Sequence, residues 1–173
     1  MRDGAGILPV AFNGQNILFL FGQERETGEW SDFGGARDDG EQLIETAARE
    51  GYEETSGLLG TREQINQGIR SRCLTTIELD NYISYVFCPL ATTAELLAAP
   101  FFFANNFDFT IQTNPQYLDE GRGFYEKSDI KWFTAMEAFN NRDTFRPFYR
   151  PVLGSLVTIE QTLIEEAKLI ERG

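Results

Sequence analysis

The sequence predicts an α/β fold, with a mixed central sheet held between layers of helix. Three observations predict it. Short runs rich in β-branched and aromatic residues recur along the chain, a strongly acidic helix interrupts them near residue 50, and a long amphipathic helix follows Pro151. The 173 residues read as one domain, 1–173, long enough to bury a sizeable core.

The elements follow in order. Ala5–Phe12 (AGILPVAF) reads as a first strand, and Pro9 within it suggests an edge or a bulge, because proline cannot donate to a ladder. Asn13-Gly14 is a strong hairpin signal, and Ile17–Phe21 (ILFLF) is then a buried strand. After the polar loop Gln23–Glu29, Trp30–Phe33 forms a short strand. It leads into Phe33-Gly34-Gly35 and Gly40, which read as a tight loop open to a phosphate. Beyond the acidic helix, Thr61–Gly68 reads as a loop or short helix. Arg70–Leu79 and Tyr82–Leu90 read as a hairpin around Asp80-Asn81.

Thr92–Ala99 is a short helical candidate. Pro100–Lys127 is aromatic and Asn-rich with no simple period, and reads either as an insertion or lid over the site or as packing for the sheet. Within it, Phe101-Phe102-Phe103 reads first as core and second as a platform for stacking a nucleobase. Ser128–Phe139 reads as a strand followed by a helix from Thr134, where Thr134 and Glu137 have capping-box spacing. After Pro151, the apolar residues Val152, Leu153, Leu156, Ile159, Leu163, Ala167 and Ile170 mark a helix that packs on the sheet.

Composition excludes several functions. A formal charge of −12 opposes a broad basic track for long nucleic acid. With no histidine, Ser-His and Cys-His catalysis and His-ligated zinc are ruled out, so acid–base work falls to carboxylates, Lys, Tyr or water. Apolar runs fall far short of a membrane span, and the first residues make a poor secretion signal. Cys73 and Cys88 lie in apolar runs and read as reduced core thiols, from which a cytoplasmic setting is expected. Monomer and homodimer both stay open.

The informative stretch is Gly35–Leu58. It holds five glutamates, Glu41, Glu45, Glu50, Glu53 and Glu54. Glu50, Glu53 and Glu54 stand at i, i+3 and i+4, which on a helix brings their Cβ atoms to roughly 5–6 Å. Such crowding needs a cation, and Arg49 offsets only part of it. A divalent metal with a preference for oxygen, Mg²⁺ or Mn²⁺, suits the remainder. The other face, Ile44, Ala48, Gly51 and Thr55 with Ala47, is small or apolar and can lie close to a sheet, and Gly57 suits a left-handed helix end.

This stretch resembles the Nudix box, G-x5-E-x7-R-E-U-x-E-E-x-G-U, where U is a bulky aliphatic. Gly35, Glu41, Arg49, Glu50, Glu53 and Glu54 match in identity and spacing. Two residues depart from it. Gly51 stands at a U position, where a mid-helix glycine costs about 1 kcal/mol relative to alanine, and a larger neighbour is expected to fill the gap. Ser56 is an extra residue before Gly57, expected to lengthen the helix end.

The resemblance implies a Nudix α/β/α sandwich and hydrolysis of a phosphoanhydride in a nucleoside diphosphate linked to another moiety. It implies Glu50, Glu53, Glu54 and Gly35 as the metal site, with Arg49 orienting a carboxylate and Glu41 closing the loop onto the helix. Phe33, Gly34, Gly35, Glu120 and Glu126 are the expected substrate contacts. The general base is open among Glu53, Asp119, Glu120 and Glu126. Thr61–Leu79 has neither the proline nor the tyrosine that marks ADP-ribose and dinucleoside polyphosphate subfamilies. The substrate is thus a small nucleotide of unassigned type, and a capped RNA stays open. Arg70, Arg72, Arg122, Lys127 and Lys131 read as solvated charge first and as phosphate contacts second. The competing readings are a Nudix fold that binds a nucleotide without cleaving it and an acidic helix that binds Ca²⁺ for stability.

Overall fold

The computed structural model describes residues 2–113, 115 and 126–172. In chain order the elements are β1 (Gly4–Phe12), β2 (Ile17–Glu24), β3 (Trp30–Ser31), β4 (Phe33–Ala36), α1 (Leu43–Glu54), α2 (Arg62–Arg72), β5 (Cys73–Leu79), β6 (Tyr82–Phe87), α3 (Thr93–Thr113), β7 (Lys127–Phe133), α4 (Ala135–Asn140) and α5 (Arg150–Arg172). Two short 3-10 turns, Arg142–Thr144 and Pro147–Tyr149, join α4 to α5.

The sheet is mixed. β1 lies at its centre and runs parallel to β6, which pairs antiparallel with β5. On its other side β1 has two antiparallel partners in succession, β4 along Gly4–Ile7 and β2 along Val10–Phe12. β2 continues to β3 and β7. Alternation along β1 divides the core. Leu8, Val10 and Phe12 join Phe19, Phe21, Val152, Leu153 and Leu156 under α4 and α5. Ala5, Ile7 and Ala11 join Leu20, Ala47, Ile65, Ile69, Leu96 and Phe103 under α1, α2 and α3. The result is the α/β/α sandwich.

Several local readings change. β1 is a central strand, not an edge. Pro9 is tolerated because it falls at the handover between β4 and β2, opposite neither, so on that side its missing N–H breaks no ladder bond. Phe33-Gly34-Gly35 is a strand, because the first half of β1 needs a partner, and Gly34 and Gly35 register against Gly6 and Ala5. The segment after Thr61 is a full helix running to Arg72, so β5 begins at Cys73, not Arg70. Thr61 starts it, its hydroxyl accepting from Gln64 N at 3.1 Å while the Gln64 side chain accepts from Thr61 N at 2.9 Å.

The helix expected over Thr92–Ala99 continues to Thr113 through Pro100. Proline strips the carbonyl of Leu96 of its helical donor, and Trp132 Nε1 replaces it at 2.9 Å. Phe103 is core, as expected, while Phe101 and Phe102 are exposed and meet edge to face at 5.7 Å. The rest of the expected lid, 114 and 116–125, lies outside the described residues. Thr134 caps α4 by accepting from Glu137 N at 3.0 Å.

Candidate active site

Helix α1 carries the site. At its start Gln42 and Glu45 cap each other's backbone, with Gln42 N donating to Glu45 Oε2 at 2.9 Å. At its end the extra residue does not extend the helix. Ser56 (φ 53°) and Gly57 (φ 75°) turn left-handed after Glu54, and Gly57 N returns to the Tyr52 carbonyl at 3.0 Å. Gly51 faces Ile7, where any Cβ would overlap the Ile7 Cδ1 methyl. Ile7 is the larger neighbour that fills the gap, and glycine lets α1 sit directly on β1.

The structure brings Glu50 and Glu54 together with Glu126, one oxygen from each lying within 4.8 Å of the others. Glu53 is not in this group; it flanks it, with an oxygen 3.8 Å from Arg49 Nη1. Helical spacing explains the split, since i,i+4 aligns Glu50 with Glu54 while Glu53 is turned by roughly 100° from Glu54. Glu126 reaches the group from the residue preceding β7. Glu120, with Asp119 and Arg122, lies outside the described residues.

Arg49 organises the rest. Its Nε and Nη2 donate to the two oxygens of Glu41 at 3.0 and 2.9 Å, Nη1 donates to Glu50 Oε1 at 2.9 Å, and Nη2 also donates to the Ala36 carbonyl at 3.0 Å. Glu41 Oε1 accepts from Asp38 N at 2.9 Å, so the loop is closed onto the helix. The Arg49 hydrogen bonds hold Glu41 below the usual carboxylate range. Gly35 brings bare backbone against Glu50, where a Cβ would lie 2.5 Å from Oε1. Phe33 precedes the glycine pair in β4. Its ring is wholly buried in the core beneath the helices.

Electrostatics mark the trio. Glu54 is buried, neither of its oxygens has a hydrogen-bond donor, and burial pushes its pKa well up. Burial raises Glu50 to about 7 against the pull of Arg49, and burial followed by the charge of Glu24 raises Glu126. An oxygen-only set with an orphaned buried carboxylate fits a hard divalent cation.

Several residues escaped the sequence reading. Lys127, expected as solvated charge, is buried and donates to Glu24 Oε1 at 2.7 Å. Asp32 is buried and accepts from Tyr82 Oη at 2.8 Å and Ser84 Oγ at 2.7 Å, and burial raises it to about 6. Gly6 and Gly34 are bare because a Cβ at either would strike the Tyr82 hydroxyl. One signal was available: Asp32 is a lone acid between a short strand and a glycine pair. Arg70 and Arg72 are tied to Asn66 and to the Cys88 carbonyl, and Lys131 lies over the Phe133 ring. A groove of about 620 Å³ between α1 and α2 is lined by Glu41, Glu45, Arg62, Asn66 and Arg70, and none of the trio lines it.

The topology is an α/β/α sandwich with an acid-faced helix packed directly on the central strand. The chain belongs to the Nudix family, whose domain model, NUDIX domain, matches residues 1–156, and it is a Nudix-type pyrophosphohydrolase. A search of curated proteins finds no match. Among solved structures it is similar to a C. elegans Ap4A hydrolase binary complex, at 16% identity and TM-score 0.51, covering 93% of this chain and 98% of that one. It is also similar to the M. smegmatis Nudix hydrolase RenU, at 15% identity and TM-score 0.52, covering 93% and 87%. A third is a Francisella tularensis bifunctional NMN adenylyltransferase/ADP ribose pyrophosphatase complexed with AMP and a Mn ion, at 18% identity and TM-score 0.52, covering 93% and 42%. Identities this low establish a shared fold. Among the described residues no helix is long and apolar enough to cross a membrane.

Proposed function

We propose that the chain hydrolyses a phosphoanhydride bond in a small nucleoside diphosphate derivative, using Mg²⁺ or Mn²⁺ held by Glu50, Glu54 and Glu126. The observation that carries this is Glu54, a buried carboxylate with no hydrogen-bond donor, beside two more carboxylates whose oxygens lie within 4.8 Å. A divalent ion bound there supplies charge neutralisation for the phosphates and a more acidic water.

The protein's own groups do the rest. Arg49 fixes the Glu50 rotamer and ties it to Glu41, so the loop is held to the helix. Gly35 lets the Glu50 carboxylate lie directly against the β4 backbone. Glu53, outside the trio and beside Arg49, is the carboxylate assigned in this reading to take a proton from the attacking water. The net charge of −12 favours a compact nucleotide over a long RNA, and the two free cysteines suit a reducing, cytoplasmic setting.

The test is a panel of nucleotide sugars, dinucleoside polyphosphates, nucleoside triphosphates and a capped oligonucleotide, assayed with Mg²⁺ and Mn²⁺ and scored by product identity. An E53Q/E54Q variant controls for contaminants. The expected result is turnover of at least one diphosphate that the variant loses, with the products showing which anhydride breaks. Tight nucleotide binding without turnover would instead identify a sensor.

A further inference from the structure

Lys127 opens β7 with its side chain 1% exposed. Its ammonium donates to Glu24 Oε1 at 2.7 Å and to Ser31 Oγ at 3.1 Å, and stands 3.9 Å from Glu54 Oε2. Room for its stem comes from Gly22, where a Cβ would lie 2.8 Å from Lys127 Cδ. The ammonium also lies over the Phe33 ring, 5.7 Å from its centre. A lysine buried this completely needs anionic partners. It has two, Glu24 from β2 and Glu54 from α1. Arg146 Nη1 approaches the same Glu24 oxygen at 3.5 Å, so Glu24 is already matched by cations of the protein itself.

Glu54 is therefore shared between two neighbourhoods. On one side stands the ammonium of Lys127; on the other stand Glu50 and Glu126, with no donor reaching either Glu54 oxygen. An ammonium and a divalent cation are alternatives between two carboxylates, because both are held by the same oxygens and repel each other at that range.

We propose that Lys127 is a tethered counter-cation that fills the Glu24–Glu54 position, so that this site takes a single divalent ion, on the Glu50–Glu54–Glu126 side. The proposal rests on the metal-site reading above and adds its stoichiometry and the residue that sets it. Lys127 is a positioning residue in this account.

The experiment counts tightly bound Mn²⁺ per full-length chain by electron paramagnetic resonance, beside thermal melts with and without Mn²⁺. Wild type is expected to bind one tight Mn²⁺. K127M keeps the length of the stem but not the charge. It should bind a second tight ion, or bind the first at least tenfold more tightly, and gain more melting temperature from Mn²⁺ than wild type does. K127R keeps the charge and should stay at one. Two tight ions in wild type, or one ion of unchanged affinity in K127M, would overturn the proposal while leaving the metal site standing. No tight Mn²⁺ in wild type would overturn the metal site and the proposal together. If K127M folds only with Mn²⁺, the proposal is supported; if it folds in neither condition, the wild-type and K127R counts decide, one supporting and two overturning.

Discussion

Replacing Gly35 by alanine should separate function from stability at a single methyl group. The new Cβ would lie 2.5 Å from Glu50 Oε1 and 2.7 Å from its Cδ. Ordinary contact needs about 3.5 Å, so the carboxylate must retreat by roughly 1 Å. That movement takes Glu50 off the 2.9 Å bond from Arg49 Nη1 and away from Glu54 and Glu126. Misplacement of about 1 Å in a positioned group costs on the order of 10²-fold in rate. Stability should barely change. The clash falls on the far end of a flexible side chain, and alanine gains about 0.4–1 kcal/mol over glycine by restricting the unfolded chain. For a domain of this size that keeps the melting temperature within about 4 °C of wild type. The assay pairs kcat/KM on the best panel substrate with melts in chelator. Activity within threefold of wild type would refute the placement of Glu50, and a melting temperature lower by more than about 10 °C would show that Gly35 is structural.

Other perturbations report on separate parts of the account. E54Q removes one carboxylate of the trio and leaves Glu24 to face Lys127, so the rise in melting temperature that Mn²⁺ gives should be lost, read from melts with Mn²⁺ and with chelator. Asp32 is raised from near 3.8 to about 6, so the stability its protonated form contributes is whole below about 3.8 and is lost as pH rises through about 6. That is roughly 3 kcal/mol, and D32N should flatten the pH 4–6 melting profile by about that much in chelator. A D32N profile as steep as wild type would contradict the assignment. G51A should destabilise by about 1–2 kcal/mol although alanine is the better helix former, because its methyl meets Ile7 Cδ1. I7V, which deletes that methyl, should recover part of the loss in urea unfolding.

The sequence revealed the family and two of the three clustered acids, for a physical reason. Glu50 and Glu54 are one helical turn apart, and local spacing determines such neighbours. Glu126 is 72 positions from Glu54, and no periodicity links a helix to the residue before a distant strand. The same limit hid Lys127, whose partner Glu24 is 103 residues away, and which looks like any strand-end lysine until the sheet closes over it. From sequence the glycine pair reads as a loop, because bare backbone serves two purposes. Gly34 is small to admit the Tyr82 hydroxyl and Gly35 to admit Glu50, and both sit in a paired strand. α2 reads as shorter than it is because its exposed face is nearly all polar.

The most direct measurement is a crystal soaked with Mn²⁺ and examined by anomalous scattering at the manganese edge. The account predicts a peak in contact with carboxylate oxygens of Glu50, Glu54 and Glu126. A peak held by other carboxylates, such as Glu41 and Glu45 across the α1–α2 groove, with the trio bare in crystals that still turn over substrate, would contradict it.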